Sequence, residues 1–379
     1  MGSVRKKGNR WYFSVELPTE NGKRKRIEKA GGKTKKEALE KMKVFEAEIL
    51  KNGYQEKSKM TFKELFDIWY EEHVELNCAY KTKETYERNA RLHLLPRVGD
   101  FKVVDIKPKD VNALYNDLKK EGYGKSLFYQ VRNLLKSCLS YAVFPLEIIE
   151  SNACDNVKSP KMEPAKKPKE IITPEKLPVI LEASTRVYMF SSISIILFNT
   201  GMRIGELLGL QWDDIDFDKK IIHIRHSLLT KNCNEYELEV PKTPGSVRDI
   251  YFNEDVEKEF KKIKIEQMEN RLKYGKFYIQ NNDDDLVFTR KNGKFMSHTI
   301  LENAARRVSK KVDIDFSLHT FRHSHATMML EAGATMKDVQ IRLGHASIEI
   351  TMNIYVQPTD MSKKEALEKF NAYTKSSDI

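Results

Sequence analysis

The sequence predicts a multidomain α+β protein. A small N-terminal domain of β-sheet plus helix comes first, then an all-helical domain, then a mainly helical domain with a small β-sheet. Three observations carry that expectation. The chain has 379 residues, room for two or three domains of ordinary size. The period of its apolar residues changes along the chain, from strand-like stretches to helical stripes. And from Asn156 to Glu170, Pro160, Pro164 and Pro168 interleave with Lys158, Lys161, Lys166, Lys167 and Lys169, a composition that reads as a linker. The expected boundaries are 1–56, 57–158, the basic linker 159–170, and 171–379.

The first domain is read from two strand-like stretches, Arg10 to Leu17 and Arg24 to Ala30, joined across Asn21-Gly22, a hairpin signal. Thr34-Lys-Lys-Glu37 fits a capping box and opens a helix with Ala38, Met42, Phe45 and Ile49 on its apolar face. Residues 1–60 hold 17 basic and 8 acidic side chains, and so carry nine of the eleven net positive charges. Arg5, Lys6, Lys7, Arg10, Arg24 and Arg26 are candidates for reading DNA from the strands. The alternative is a solubilising basic tip.

A second capping box, Thr61-Phe-Lys-Glu64, opens the helical domain, with Phe62, Leu65, Phe66 and Trp69 along one face. Further helices are expected near Lys83–Leu95, Lys109–Glu121 and Ser126–Ala142, separated by Gly99-Asp100, Gly122 and Gly124. Lys81 and Lys83 are candidates for a phosphate-facing surface or, equally, for an ordinary solvated face.

The overall balance of +11, with a pI near 9.1, suits a polyanionic partner, nucleic acid or an acidic membrane surface. Cys78, Cys138, Cys154 and Cys233 are scattered with no CxxC pair, as expected of reduced thiols in an intracellular protein. No signal peptide is visible, and the longest apolar stretch, near Tyr188 to Phe198, is interrupted by serines. A cytoplasmic protein without a membrane partner is expected.

The third domain carries the chemistry. Thr173-Pro174 is expected to start its first helix. In Thr200-Gly-Met-Arg203-Ile-Gly-Glu206 a helix breaks at Gly201, and Arg203 sits at the start of the next, beside backbone N–H groups. Glu206, one turn on, is placed to orient the guanidinium. Two strand-like stretches, Lys220–Leu228 and Arg248–Phe252, flank Val240-Pro-Lys242-Thr-Pro-Gly245, which puts Lys242 at or near a hairpin tip; Lys231 lies nearby. In Leu318-His319-Thr-Phe-Arg322-His323-Ser-His325, His319 and Arg322 share a helix face. Leu343-Gly-His345-Ala-Ser347 follows, and ten residues after His345 comes Tyr355. Any one of these residues alone reads as structural. A zinc site at His319, His323 and His325 lacks a matching ligand pattern.

Together, Arg203, Lys242, His319, Arg322, His345 and Tyr355 resemble the Arg, Lys, His-x-x-Arg, His and Tyr of the tyrosine recombinases. That group includes phage integrases, conjugative-transposon integrases and chromosome-dimer resolvases. The resemblance covers the whole chain in outline and is strongest over residues 200–355. It implies an arm-type DNA-binding domain, a helical core-binding domain and a catalytic domain, in that order. It implies double-stranded DNA as partner at core and arm sites, and a homotetramer on that DNA. It also implies integration and excision of a mobile element, with an excisionase or DNA-bending host protein as accessory, and neither cofactor nor metal. The tail Thr359–Tyr373, with Met361, Ala366, Leu367, Phe370 and Tyr373 at helical spacing, is expected to be a docking helix that packs on its own domain or, as the resemblance implies, on a neighbouring protomer. A topoisomerase of the same chemistry and a regulator that has lost catalysis are the alternatives.

The set also makes chemical sense by itself. Attack on a phosphodiester builds charge on the non-bridging oxygens, which Arg203 and Arg322 can neutralise and His345 can hydrogen-bond. A tyrosine with a free pKa of about 10 is a weak nucleophile and needs such a field and a base, for which His319 is the candidate. Lys242 is the candidate acid for the departing 5′-oxygen. The product is a 3′-phosphotyrosyl link that conserves the bond energy. The arginines supply the positive charge that a metal would otherwise provide.

Overall fold

In the computed structural model, the described residues are 2–16, 26–52, 58–162, 170–240, 244–281, 284–349, 352, 367–368, 371 and 374. The Asn21-Gly22 turn, Arg24, Lys242, Tyr355, most of the linker and most of the predicted docking helix lie outside them. The chain divides into two compact units, Met1–Lys166 and Lys167–Ile379.

The first unit begins with a three-stranded antiparallel sheet in the order β1 (Ser3–Lys7), β2 (Arg10–Glu16) and β3 (Arg26–Gly32), followed by α1 (Lys35–Asn52). Phe13 and Val15 alternate inward from β2 and are buried, and Phe13 meets Phe45 of α1 edge-on at 5.8 Å. Thr34 accepts from the Glu37 amide at 3.2 Å, as its capping signature predicts. Strand β1 is not among the two strand-like stretches read from the residues, because Ser3-Val-Arg-Lys-Lys has one apolar side chain among three charges. Its ladder with β2, Ser3↔Ser14 to Lys7↔Arg10, supplies the order that its composition does not.

The helical part runs through α2 (Phe62–Trp69), α3 (Glu75–Asn77), α4 (Tyr80–Asn89), α5 (Leu95–Val98), α6 (Pro108–Lys120) and α7 (Lys125–Val143). The Thr61–Glu64 capping box forms reciprocally, at 3.2 and 2.8 Å. Phe62, Leu65, Phe66 and Trp69 are buried in one core with Tyr115 and Phe128, whose rings meet at 5.3 Å. Two π-helical turns, Tyr70–Val74 and Ala90–Leu94, interrupt what the sequence suggests are plain helices.

The second unit is built on α8 (Lys176–Ala183), α9 (Phe190–Thr200) and α10 (Ile204–Leu208). Next come β4 (Ile215–Asp216), β5 (Ile221–Ile224), β6 (Ser227–Thr230), β7 (Tyr236–Glu239) and β8 (Arg248–Tyr251). Four helices follow: α11 (Glu254–Tyr274), α12 (His298–Val312), α13 (Leu318–Glu331) and α14 (Met336–Leu343). α8 begins at Lys176, two residues beyond the expected Pro174, after a turn closed by the Thr173 carbonyl. Apolar residues of α9, including Phe190, Ile193 and Ile196, form the core with Phe321 of α13. The stretch expected as one strand from Lys220 divides. β5 joins the sheet β4-β5-β8, and β6 pairs with β7 in a separate hairpin. Residues 241–243, on which the expected hairpin tip with Lys242 falls, lie outside the described residues. No helix among the described residues is long and apolar enough to cross a membrane.

Candidate active site

Two left-handed glycines set the site. Gly201 ends α9 at φ +66°, and its missing Cβ leaves room for the His325 ring and Leu343, which a methyl group would meet at 2.6 and 2.7 Å. The turn it makes brings Arg203 to the N-cap of α10. Glu206, three residues on and 2% exposed, accepts from the Arg203 amide at 2.9 Å and from its Nη1 at 2.6 Å. Of the groups expected to be free at this helix start, the Arg203 amide is already satisfied by Glu206, and α10 is only five residues long. The Arg203 side chain is 39% exposed.

The second glycine, Gly344, ends α14 at φ +66°, with the amides of Gly344 and His345 both closing on the Gln340 carbonyl, at 2.9 and 3.1 Å. The three carbonyls at this helix end each take a different arginine. Arg248 Nε donates to Arg342 O at 2.7 Å, Arg322 Nη2 to Leu343 O at 2.8 Å and Arg203 Nη2 to Gly344 O at 2.8 Å. The negative end of the helix dipole, and carbonyls that have no partner within the helix, make this a favourable seat for cations. Arg322, in α13 and 3% exposed, also donates from Nη1 to Gly201 O at 3.0 Å. One turn of backbone thus holds both predicted arginines, on adjacent carbonyls.

Burial and the neighbouring Arg203 pull Arg322 down to about 9, so it keeps its charge at neutral pH. Burial pushes Glu206 upward, but Arg248 and then Arg203 more than offset this and hold it below the usual carboxylate range. His345, buried directly after Gly344, is pushed down to about 4, by burial and then by Arg322, Arg203 and Arg248. It is neutral at pH 7. His319 is exposed on the first turn of α13 and sits close enough to His345 to contribute to that depression.

His325 has another task. It is neutral, with Nδ1 donating to Phe198 O at 2.8 Å and Nε2 accepting from Arg342 Nε at 3.0 Å, and burial pushes it down to about 4. Both ring nitrogens are engaged in bracing α13 against α9 and α14. Lys231, which precedes Lys242 in the chain, forms an ion pair with Glu237 at 2.6 Å in the inserted hairpin.

Sequence reasoning misses Arg248 and Arg342. Arg248 stands in a strand beside Asp249, where charge reads as solvated. The available signal is Glu206, because a carboxylate one turn into a buried helix calls for more positive charge than one half-exposed arginine supplies.

The N-terminal candidates divide by strand parity. Arg5, Lys7, Arg10 and Arg26 lie with Tyr12 on the sheet face opposite α1, while Lys6, opposite Trp11, has the parity of the helix-packed face. Arg5 and Lys7 both reach Glu28, at 2.7 and 2.6 Å. Lys81 and Lys83 on α4 pair with Glu84 and Glu75, each at 2.8 Å.

Two arginines seated on adjacent carbonyls beside a neutral histidine are suited to a phosphodiester in transit between acceptors. Comparison with known proteins agrees. The phage integrase family profile matches residues 170–361, the phage integrase N-terminal SAM-like domain matches 61–119 and an arm DNA-binding domain matches 3–49. The fold is that of a tyrosine-type site-specific DNA recombinase. The chain belongs to the phage integrase family.

A tyrosine recombinase XerC-like protein of Caldanaerobacter subterraneus is 28% identical, over 96% of this chain and 97% of its own length. The ICEBs1 integrase of Bacillus subtilis is 25% identical over 89% and 90%. The solved Tn1549 transposon integrase, in complex with transposon right end DNA, superposes with a TM-score of 0.70 at 27% identity, over 82% of this chain and 99% of that one. A lambda integrase dimer bound to a core site, at 16% identity and a TM-score of 0.60 over 94% of this chain and 96% of that one, shares the fold.

Proposed function

We propose that this recombinase integrates and excises a mobile element by cleaving and rejoining DNA through a 3′-phosphotyrosyl intermediate. The observation that carries the reading is the seating of Arg203 and Arg322 on adjacent carbonyls, Gly344 and Leu343, with Arg203 half-exposed. Each guanidinium has five N–H donors and, among the described residues, uses two of them in hydrogen bonds, which leaves donors for non-bridging phosphate oxygens.

In the proposed step, Tyr355 Oη gives its proton to His319 and attacks phosphorus. The bond to the 5′-oxygen breaks, and Lys242 protonates that oxygen. Arg203 and Arg322 balance the added negative charge. Neutral His345 donates a hydrogen bond to the same oxygens. Reversal by a new 5′-hydroxyl rejoins the strand with no external energy source.

Residues 1–56 serve as an arm-type DNA-binding domain, 57–158 as the core-binding domain, 159–170 as a linker along the phosphate backbone and 171–379 as the catalytic domain. The DNA-bound state of the 27%-identical Tn1549 integrase, which matches 82% of this chain, supports the core-binding and catalytic parts of this assignment, and the arm DNA-binding match over 3–49 supports the first. Exchange between two duplexes requires four cleavages, hence four protomers, and the apolar tail after Tyr355 is suited to join them. The reaction takes place in the cytoplasm.

The test is a cognate core site with a nick that traps the cleaved strand. Wild type is expected to form a covalent adduct and Tyr355→Phe none. An undiminished adduct with Tyr355→Phe overturns the reading.

A further inference from the structure

The proposed chemistry needs two charged arginines, yet Glu206 is placed to take the charge of one. Its carboxylate is 3% exposed and bonded to both the amide and Nη1 of Arg203. A buried carboxylate with one arginine for company would hold that arginine as a neutral pair, at the expense of phosphate. Arg248 changes this balance. It is 6% exposed and grips Glu206 with both terminal nitrogens, Nη1 to Oε1 at 3.1 Å and Nη2 to Oε2 at 2.9 Å. This is the two-pronged geometry in which guanidinium meets carboxylate best. Arg342 O at 2.7 Å and Ser246 O at 3.0 Å hold two more of its N–H groups. So buried, with four of its five donors engaged, Arg248 is a poor ligand for DNA. Three arginines and one carboxylate leave the site with two net positive charges, carried by the half-exposed Arg203 and the buried Arg322.

We propose that Arg248 is a positioning residue for strand cleavage: by holding Glu206 through both carboxylate oxygens, it leaves the charge of Arg203 uncompensated and its guanidinium oriented toward the scissile phosphate. The inference rests on the reading of the cleft as a phosphodiester site. It also explains why the strand that follows Lys242 is locked to the helix end preceding His345, since Arg248 ties β8 to α14 and α10 at once.

The experiment compares wild type, Arg248→Met and Arg248→Lys in single-turnover adduct formation on two nicked core sites. One carries the ordinary phosphodiester. The other carries a methylphosphonate at the cleavage position, where a methyl group replaces one non-bridging oxygen and removes the negative charge. Arg248→Met is expected to cleave the phosphodiester on the order of 10²-fold more slowly, the scale of losing one transition-state donor, with an unchanged Kd for the site. On the methylphosphonate, where little charge needs balancing, the penalty is expected to fall below about tenfold. Equal slowing on both substrates, or cleavage at the wild-type rate, overturns the proposal. If Arg248→Met does not fold, Arg248→Lys, which keeps the charge but not the fork, is expected to show a smaller loss with the same dependence on phosphate charge. A loss independent of that charge overturns it equally. Wild type on the phosphodiester is the control: no adduct there defeats the reading of the cleft rather than the role of Arg248.

Discussion

Gly344 and Gly333 share a backbone requirement but not a neighbourhood. Both have positive φ, +66° and +92°, but a Cβ on Gly344 meets Gly245 O at 2.9 Å and Arg248 Nη1 at 3.0 Å, while one on Gly333 meets open space. Gly333→Ala should cost only the left-handed penalty, roughly 1–2 kcal/mol, and leave cleavage by the folded protein intact. Gly344→Ala should cost more and also slow cleavage, because it displaces the carbonyls that seat three arginines. Denaturant titration and adduct rate measured on both variants separate the two effects. A second residue-level prediction concerns protons. His345 and His325 are each held near 4 in the folded protein, against an ordinary value of about 6.5. The unfolded chain therefore binds protons that the folded one refuses. Their contribution to stability is complete above about pH 6.5 and is lost as pH falls toward 4. The denaturation midpoint should decline over that window, and His325→Gln should flatten the decline; a variant as steep as wild type would count against the assignment. Arg203, His319, Arg322 and His345 are legible in the sequence because their spacing is a pattern. Arg248 and Arg342 are not, since what defines them is hydrogen bonding to the carboxylate or carbonyls of residues far away in sequence.

At the scale of elements, local signals are legible and tertiary ones are not. The Thr61 and Thr34 caps form because each involves side chains within one turn. The π-helical turns at Tyr70 and Ala90 leave no mark on apolar spacing. The β6–β7 hairpin is hidden because the strand-like stretch Lys220–Leu228 ends two residues into β6 and β7 lies beyond it, and β1 is hidden inside a run of charge. The same N-terminal sheet supports a prediction. Lys7 and Arg10 are cross-strand partners on its open face, beside Tyr12. If that face meets DNA, Lys7→Ala with Arg10→Ala should weaken arm-site binding and reduce the slope of log K against log salt by about 0.9 for each phosphate no longer neutralised. Core-site cleavage should be unaffected. An unchanged salt slope would instead mark the face as a solvated one, as its ion pairs with Glu28 allow.

At the scale of the whole molecule, charge and architecture point the same way. Nine of the eleven net positive charges sit in residues 1–60, ahead of a helical domain and a catalytic unit that matches the phage integrase profile over 170–361. Order of domains and class of reaction are both legible in the sequence, because family motifs record chemistry. How the buried cations are shared among Glu206 and three carbonyls requires the fold. The claim on which everything else depends is that Tyr355 carries the DNA. Mass spectrometry of the trapped adduct after nuclease and trypsin digestion tests it directly. The peptide running from Leu343 to Lys363 should bear a nucleotide joined through its 3′-phosphate to Tyr355. A nucleotide on any other residue, or an adduct with a 5′-phosphate linkage, would contradict the account.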